Sequence, residues 1–200
     1  MKKLKEYVFI KCKYVQLRWG LRPDFLPFFY AMKGYKKLKS DLWNPKYLTI
    51  VDLTKSNTQK RFFVLNMEKN RVEFAVQTWH GKKSWGEFAT LFSNEIGSNQ
   101  TSLWFYRTPL EIQKARTKDR SGLLLSGIES SNDNARKRGI FIHPAGIDQS
   151  EGCFTLPELD VPILNMIKGD SLLFAYYPDS TYLKKSDRKS TRLNSSHITR

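Results

Sequence analysis

Residues 60–79 constrain the fold more than any other part of the chain. "KRFFVLNM" and "RVEFAVQTW" carry the period-two pattern of strands, and the polar "EKN" separates them. Two such runs around a three-residue break close a hairpin, because alternate side chains then share one face. A helix cannot use this pattern, since its apolar face repeats every 3.6 residues. "NPKYLTIVDL" (44–53) reads as a strand that Pro45 sets off, and "TSLWFYRT" (101–108), "GLLLSGI" (122–128), "GIFIH" (139–143) and "SLLFAYYP" (171–178) read as four more. At least seven strands are expected.

Helices flank them. From Asp24 to Leu42 the residues Phe25, Phe28, Phe29, Met32, Tyr35 and Leu38 recur at three- and four-residue spacings, which predicts an amphipathic helix. Lys33, Lys36, Lys37 and Lys39 then form its solvated face. "LPELDVPILNMIKGD" (156–170) predicts a short helix ending at Gly169. The expected class is β-rich α+β, a sandwich-like core of strands with peripheral helices. Two hundred residues suit one domain, here residues 23–186.

The ends carry much of the charge. The formal net charge is +15. Residues 1–22 hold seven Lys/Arg against Glu6, and residues 187–200 hold four against Asp187. The remaining 23 basic and 17 acidic residues leave the body only mildly basic, which argues against a nucleic-acid partner. The basic segment 1–22 begins like a signal peptide, but Lys11, Lys13 and Arg18 interrupt the apolar core. A cytosolic protein, or a displaced start, would each account for it. Residues 187–200, "DRKSTRLNSSHITR", resemble translated sequencing adapter and are set aside as non-native. No stretch reaches the eighteen or so apolar residues of an integral membrane segment.

"IFIHPAGIDQSEGCFTLP" (140–157) is where chemistry can occur. An apolar strand delivers His143, a loop of turn formers follows, and Cys153 comes ten residues later. A thiol needs a base beside it, because the thiolate is the nucleophile and the free pKa is about 8.5. Gly152 lets the backbone turn sharply and direct N–H groups at an oxyanion. Ser150 can hydrogen bond within the loop. The competing readings are a small buried cysteine and a satisfied histidine. A zinc site lacks ligands, so no metal is expected.

The order of segments resembles the YkuD-type L,D-transpeptidases, in particular the murein L,D-transpeptidase catalytic domain family. The likeness runs over roughly residues 28–160. It includes "AMKGY" (31–35), "LTIVDLTKSNTQKRFFVLNM" (48–67), "HGKKS" (80–84), "FSNEIGSNQTSL" (92–103), "LSGIESSNDNAR" (125–136) and "IFIHPA" (140–145). The resemblance implies that Cys153 is the nucleophile and His143 the base. It implies an oxyanion role for Gly152 with Cys153, a supporting role for Ser150, and a substrate-side role for His80 and Gly81. Pro144 stands where the family has glycine, which removes an N–H but keeps the carbonyl that would orient His143. Arg136 and Arg138 read as helix-surface charges. Glu151 departs from the family pattern, and its charge would oppose a thiolate unless it faces solvent or pairs with a cation.

The implied activity is transfer of a peptidoglycan tetrapeptide stem through a Cys thioester, without cofactor, in the cell envelope or periplasm. An L,D-carboxypeptidase or an inactive wall-binding module are the alternatives.

Overall fold

A computed structural model of the chain describes residues 2–17, 20–114, 121–145 and 150–179. The adapter-like tail, Arg18 and the loop 146–149 lie outside them. In chain order the described elements are α1 (Lys2–Val15), α2 (Phe25–Leu38), β1 (Tyr47–Asp52), β2 (Phe62–Asn66), β3 (Arg71–Val76), β4 (Trp104–Arg107), β5 (Gln113–Lys114), β6 (Ser121–Leu124), β7 (Ser126–Gly127), β8 (Phe141–Pro144), β9 (Phe154–Leu156), α3 (Val161–Ile167) and β10 (Leu172–Tyr176). Two short 3-10 turns, Lys39–Asp41 and Glu158–Asp160, extend α2 and precede α3.

The strands form two mixed sheets, β3-β2-β1-β10-β4-β7 and β5-β6-β8-β9. With the helices around them this is the expected α+β architecture. At the centre of the larger sheet β1 and β10 run parallel, from Leu48 opposite Leu172 to Asp52 opposite Tyr176. Both strands are buried almost throughout, which explains why their sequences are apolar on both faces apart from Thr49 and Asp52 of β1. The predicted hairpin forms β2 and β3, paired antiparallel from Phe62 opposite Val76 to Asn66 opposite Arg71.

Helix α2 buries Phe28, Ala31, Met32, Tyr35 and Leu38. Gly34 allows its close seat on the sheet, because a Cβ there would stand 2.1 Å from the Phe105 ring. Phe105 in turn packs on Phe174 with ring centroids 4.4 Å apart. Burying an aromatic of this kind contributes roughly 1.5–3 kcal/mol. Segment 1–22 holds α1, whose Tyr7 and Tyr14 pack on Phe25 of α2.

"GLLLSGI" departs from the single strand expected. It divides at Leu125, so that β6 pairs with β8 in the small sheet while β7 pairs with β4 in the large one. The turn is fixed by the Leu125 N–H on the Ile140 carbonyl (2.8 Å) and the Ile128 N–H on the Phe105 carbonyl (3.2 Å). One run therefore stitches the two sheets together, with β8, the histidine strand, paired to its first half.

Candidate active site

Strands β8 and β9 run parallel with Ile142 opposite Phe154, His143 opposite Thr155 and Pro144 opposite Leu156. This pairing is what brings residues from either side of the 144–152 loop together. Cys153 directly precedes β9 and therefore lies beside the start of β8. Its Sγ accepts the Phe141 N–H at 3.3 Å and is 3.5 Å from the Gly139 carbonyl. His143 is two residues further along β8 and is 9% exposed. Its Nδ1 is 3.0 Å from the Pro144 carbonyl. A carbonyl only accepts, so Nδ1 carries the proton and the basic lone pair of the neutral ring is on Nε2.

The Ser150–Cys153 loop has its own scaffold. Ser150 Oγ donates to the Cys153 carbonyl at 2.7 Å and accepts the Gly152 N–H at 3.3 Å. Gly152 adopts φ +118°, and a Cβ there would meet the Gln100 carbonyl at 2.8 Å and Ile140 Cδ1 at 2.9 Å. No other residue fits this position without strain. Glu151 is largely exposed, and its carboxylate lies 3.4 Å from Lys82 Nζ. Both conditions under which its charge leaves the sulfur undisturbed are thus present.

Arg138 was expected on a helix surface. Instead the segment is a series of turns, and the guanidinium is half-buried behind the loop. It donates to the Ser93 carbonyl (2.7 Å), to Ser98 Oγ (3.2 Å) and to the Gln100 carbonyl. Burial lowers its pKa, while attraction to the Tyr106 hydroxyl and the Cys153 sulfur works the other way. Among the described residues no carboxylate forms an ion pair with it. Its positive charge is therefore available to the sulfur. Arg136, by contrast, is exposed and donates to Ser126 Oγ (3.1 Å).

Two further positions escaped the sequence. A Cβ on Gly122 of β6 would stand 2.8 Å from His143 Cβ, so this glycine leaves room for the imidazole. Thr101 Oγ1 accepts the Gly81 N–H at 2.9 Å and lies 3.4 Å from the Gly152 carbonyl, tying two loops together. The only forward sign of the first was a glycine inside an apolar strand.

His80 and Gly81 adjoin the same loop. Gly81 bridges Ser150, the Lys82 N–H donates to the Ser150 carbonyl at 2.7 Å, and Trp79 bridges Thr155. His80 is buried, with both ring nitrogens engaged. Nδ1 is 2.7 Å from an Arg61 guanidinium nitrogen, which can only donate, so Nε2 carries the proton and donates to the Trp85 carbonyl. Burial pulls the His80 pKa below the usual value, and the Arg61 charge adds to this against the opposing bond to Trp85. His80 and Gly81 line an open cavity of about 830 Å³ that continues to Ala145 and Pro157. Neither His143 nor Cys153 lines it.

Cys153, at the entry to β9, and His143, on the neighbouring parallel β8, thus lie close in register beside a loop shaped by Gly152 on an α+β domain. A family model described as an L,D-transpeptidase catalytic domain matches residues 24–176, and the chain belongs to that family. Among solved structures, an L,D-transpeptidase from Xylanimonas cellulosilytica is similar with a TM-score of 0.40 and 12% identity, over 65% of this chain and 60% of that one. L,D-transpeptidase 1 of Mycobacterium tuberculosis is similar with a TM-score of 0.40 and 10% identity, over 66% and 62%. L,D-transpeptidase 3 of the same organism, in complex with a faropenem-derived adduct, gives 0.38 and 13%, over 66% and 60%. The match thus spans less than two thirds of each of these chains. No curated protein matches the chain.

Proposed function

We propose that the chain is a cysteine-dependent peptidoglycan L,D-transpeptidase of the cell envelope, acting on tetrapeptide stems. The observation that carries this reading is the β8–β9 pairing, which sets Cys153, at the entry to β9, beside the strand that bears His143; the attraction between Arg138 and the sulfur supports it. His143 Nε2 takes the thiol proton, and the thiolate attacks the carbonyl preceding the terminal D-alanine. The backbone N–H of Cys153 stabilises the oxyanion, joined by that of Gly152 once it leaves Ser150 Oγ. As the C–N bond breaks, His143 returns the proton to the departing D-alanine, leaving a thioester on Cys153.

The side-chain amine of a second stem then attacks the thioester, loses its proton to His143 and expels the thiolate as the cross-link forms. Water in place of the amine gives L,D-carboxypeptidase activity with the same residues. Nothing in these steps calls for a metal or an organic cofactor. The pairing of Glu151 with Lys82 supports an active centre over an inert wall-binding module.

The purified chain with disaccharide tetrapeptide should release D-alanine, and Cys153→Ala should abolish the release. Intact mass after carbapenem treatment should show one adduct in the wild type and none in Cys153→Ala. Equal inertness of two folded proteins in both assays would sink the enzyme reading.

A further inference from the structure

The cavity beside the thiol centre has features that the acyl transfer leaves unused. Trp85 lines it with 63% of its surface exposed, and its backbone sits at φ +79°. A non-glycine residue at positive φ carries strain of order 1–2 kcal/mol, and it persists only when its surroundings fix it. Here the fixing element is a buried strut. The Arg61 side chain is fully buried, donates to the Thr78 carbonyl (3.0 Å) and the Lys55 carbonyl (2.8 Å), and holds His80, which in turn holds the Trp85 carbonyl. A costly buried cation therefore stands behind a strained turn whose product is an indole in solvent.

The rest of the lining indicates what the indole is for. Trp79 offers a second aromatic surface. Gln77 and Asn57 use their amide nitrogens on the Thr58 carbonyl (2.5 Å) and the Gly86 carbonyl (3.4 Å), and these bonds leave their amide oxygens as acceptors. Glu87 and Glu158 add carboxylate acceptors. The one cation among the described lining residues, Lys82, is paired with Glu151. Aromatic faces with many acceptors and no unpaired cation suit a neutral polyhydroxyl ring, whose C–H face stacks on indole and whose hydroxyls donate. They do not suit a phosphate or a carboxylate. A volume of about 830 Å³ lies within the range of small-molecule sites and accommodates more than one sugar ring.

We propose that this cavity is a pyranose-binding subsite that grips the glycan strand while the stem peptide lies at Cys153. The Gly81–Ser150 and Trp79–Thr155 bridges join it directly to the nucleophile loop and to β9, so a sugar held here is fixed relative to the thiol. The choice of an N-acetylamino sugar over other pyranoses rests on the peptidoglycan reading above. The subsite itself rests only on the cavity and the Arg61–His80–Trp85 strut.

Binding can be read without catalysis. The full chain and Cys153→Ala are titrated with the β-1,4-linked tetramer of N-acetylglucosamine and with maltotetraose, following indole fluorescence and heat. The amino-sugar tetramer should saturate both proteins equally, and maltotetraose should bind more weakly. Trp85→Gly should weaken tetramer binding at least about tenfold, as expected for an exposed aromatic anchor. Its Tm should hold or rise, since glycine takes positive φ without strain. A tryptophan with a merely structural role would instead lower Tm on removal.

Unchanged affinity in Trp85→Gly, or no saturation of the folded wild type by either sugar near 10 mM, a Kd weaker than millimolar, overturns the subsite. Equal affinity for the two sugars overturns the amino-sugar assignment. Saturable tetramer binding by a chain that releases no D-alanine supports the subsite while the thiol mechanism fails.

Discussion

The two described histidines lie on either side of one short loop and are held in opposite ways. His143 has its Nδ1 proton anchored on the neighbouring Pro144 carbonyl, which fixes the ring and leaves the basic lone pair on Nε2. His80 is clamped at both nitrogens, between a buried guanidinium and the Trp85 carbonyl. A proton acceptor must have a nitrogen that can change partners during a reaction. A strut must not. The proposed mechanism puts chemistry on the β8–β9 side and the strut puts shape on the His80 side, though both histidines are buried.

That contrast breaks most sharply by substitution at the two rings. His143→Gln should reduce D-alanine release by about 10²–10⁴-fold with little change in Tm, the usual contribution of a general base. His80→Gln should do the reverse, lowering stability by about 1–3 kcal/mol because the buried Arg61 donor loses its acceptor. Parallel activity and Tm measurements on the pair decide it, and equal losses of activity without loss of stability would dissolve the distinction. Next in size is Gly152→Ala, where positive φ and the contact with the Gln100 carbonyl together cost roughly 3 kcal/mol. Urea midpoints should show it, and carbapenem acylation of whatever remains folded should be slowed.

Arg138 sharpens the chemical side. With no carboxylate partner among the described residues, its charge favours the ionised sulfur. Arg138→Met should cut the rate of thiol alkylation about tenfold near neutral pH and move the acid limb of its pH profile upward. A profile left in place would show that the guanidinium only props up the 93–102 segment through its bonds to Ser93, Ser98 and Gln100.

Much of this was legible in the residues, and the failures have physical causes. The hairpin, β1, β10 and α2 are long enough for their periodicity to reveal them. Strands β5, β7 and β9 are two or three residues each, too short for any pattern to register. The division of "GLLLSGI" depends on which carbonyls Leu125 and Ile128 meet, and those lie far along the chain. The pairing of His143 with the region of Cys153 could be anticipated because an apolar strand and a turn-forming loop bring the ends together. Arg138 could not, since its burial is made by a separate segment wrapping over it. Charge alone reads as surface until a remote loop covers it.

The strut predicts a smaller, pH-dependent effect. His80 has a folded pKa below its usual value of about 6.5, so the native state holds it neutral while the unfolded chain takes up a proton first. Stability from this residue is fully present above about pH 6.5 and is lost as the pH falls toward the depressed folded pKa. Tm of the wild type should therefore drop between about pH 7 and pH 5 more steeply than that of His80→Gln. If the two curves run parallel, the imidazole is not clamped as a neutral acceptor.

The smallest effect tests the contact that joins the two sides. Lys82 follows Gly81 at the cavity, while Glu151 precedes Gly152 beside Cys153, and their ion pair is exposed to solvent at 3.4 Å. Such a pair contributes at most about 1 kcal/mol to stability, so Lys82→Ala should leave Tm almost unchanged. Its electrostatic trace should still be measurable at the sulfur. Removing the lysine exposes the thiol to an uncompensated carboxylate two residues away, and alkylation should slow by roughly two- to threefold at low salt, fading as ionic strength rises. Glu151→Gln should shift the rate in the opposite sense, and the double variant should fall near the wild type because both charges are gone. A lysine variant that behaves as wild type at every ionic strength would mean that the Glu151 carboxylate is too well solvated to be felt at Cys153. The departure from the family pattern at this position would then be neutral for the chemistry with or without its partner.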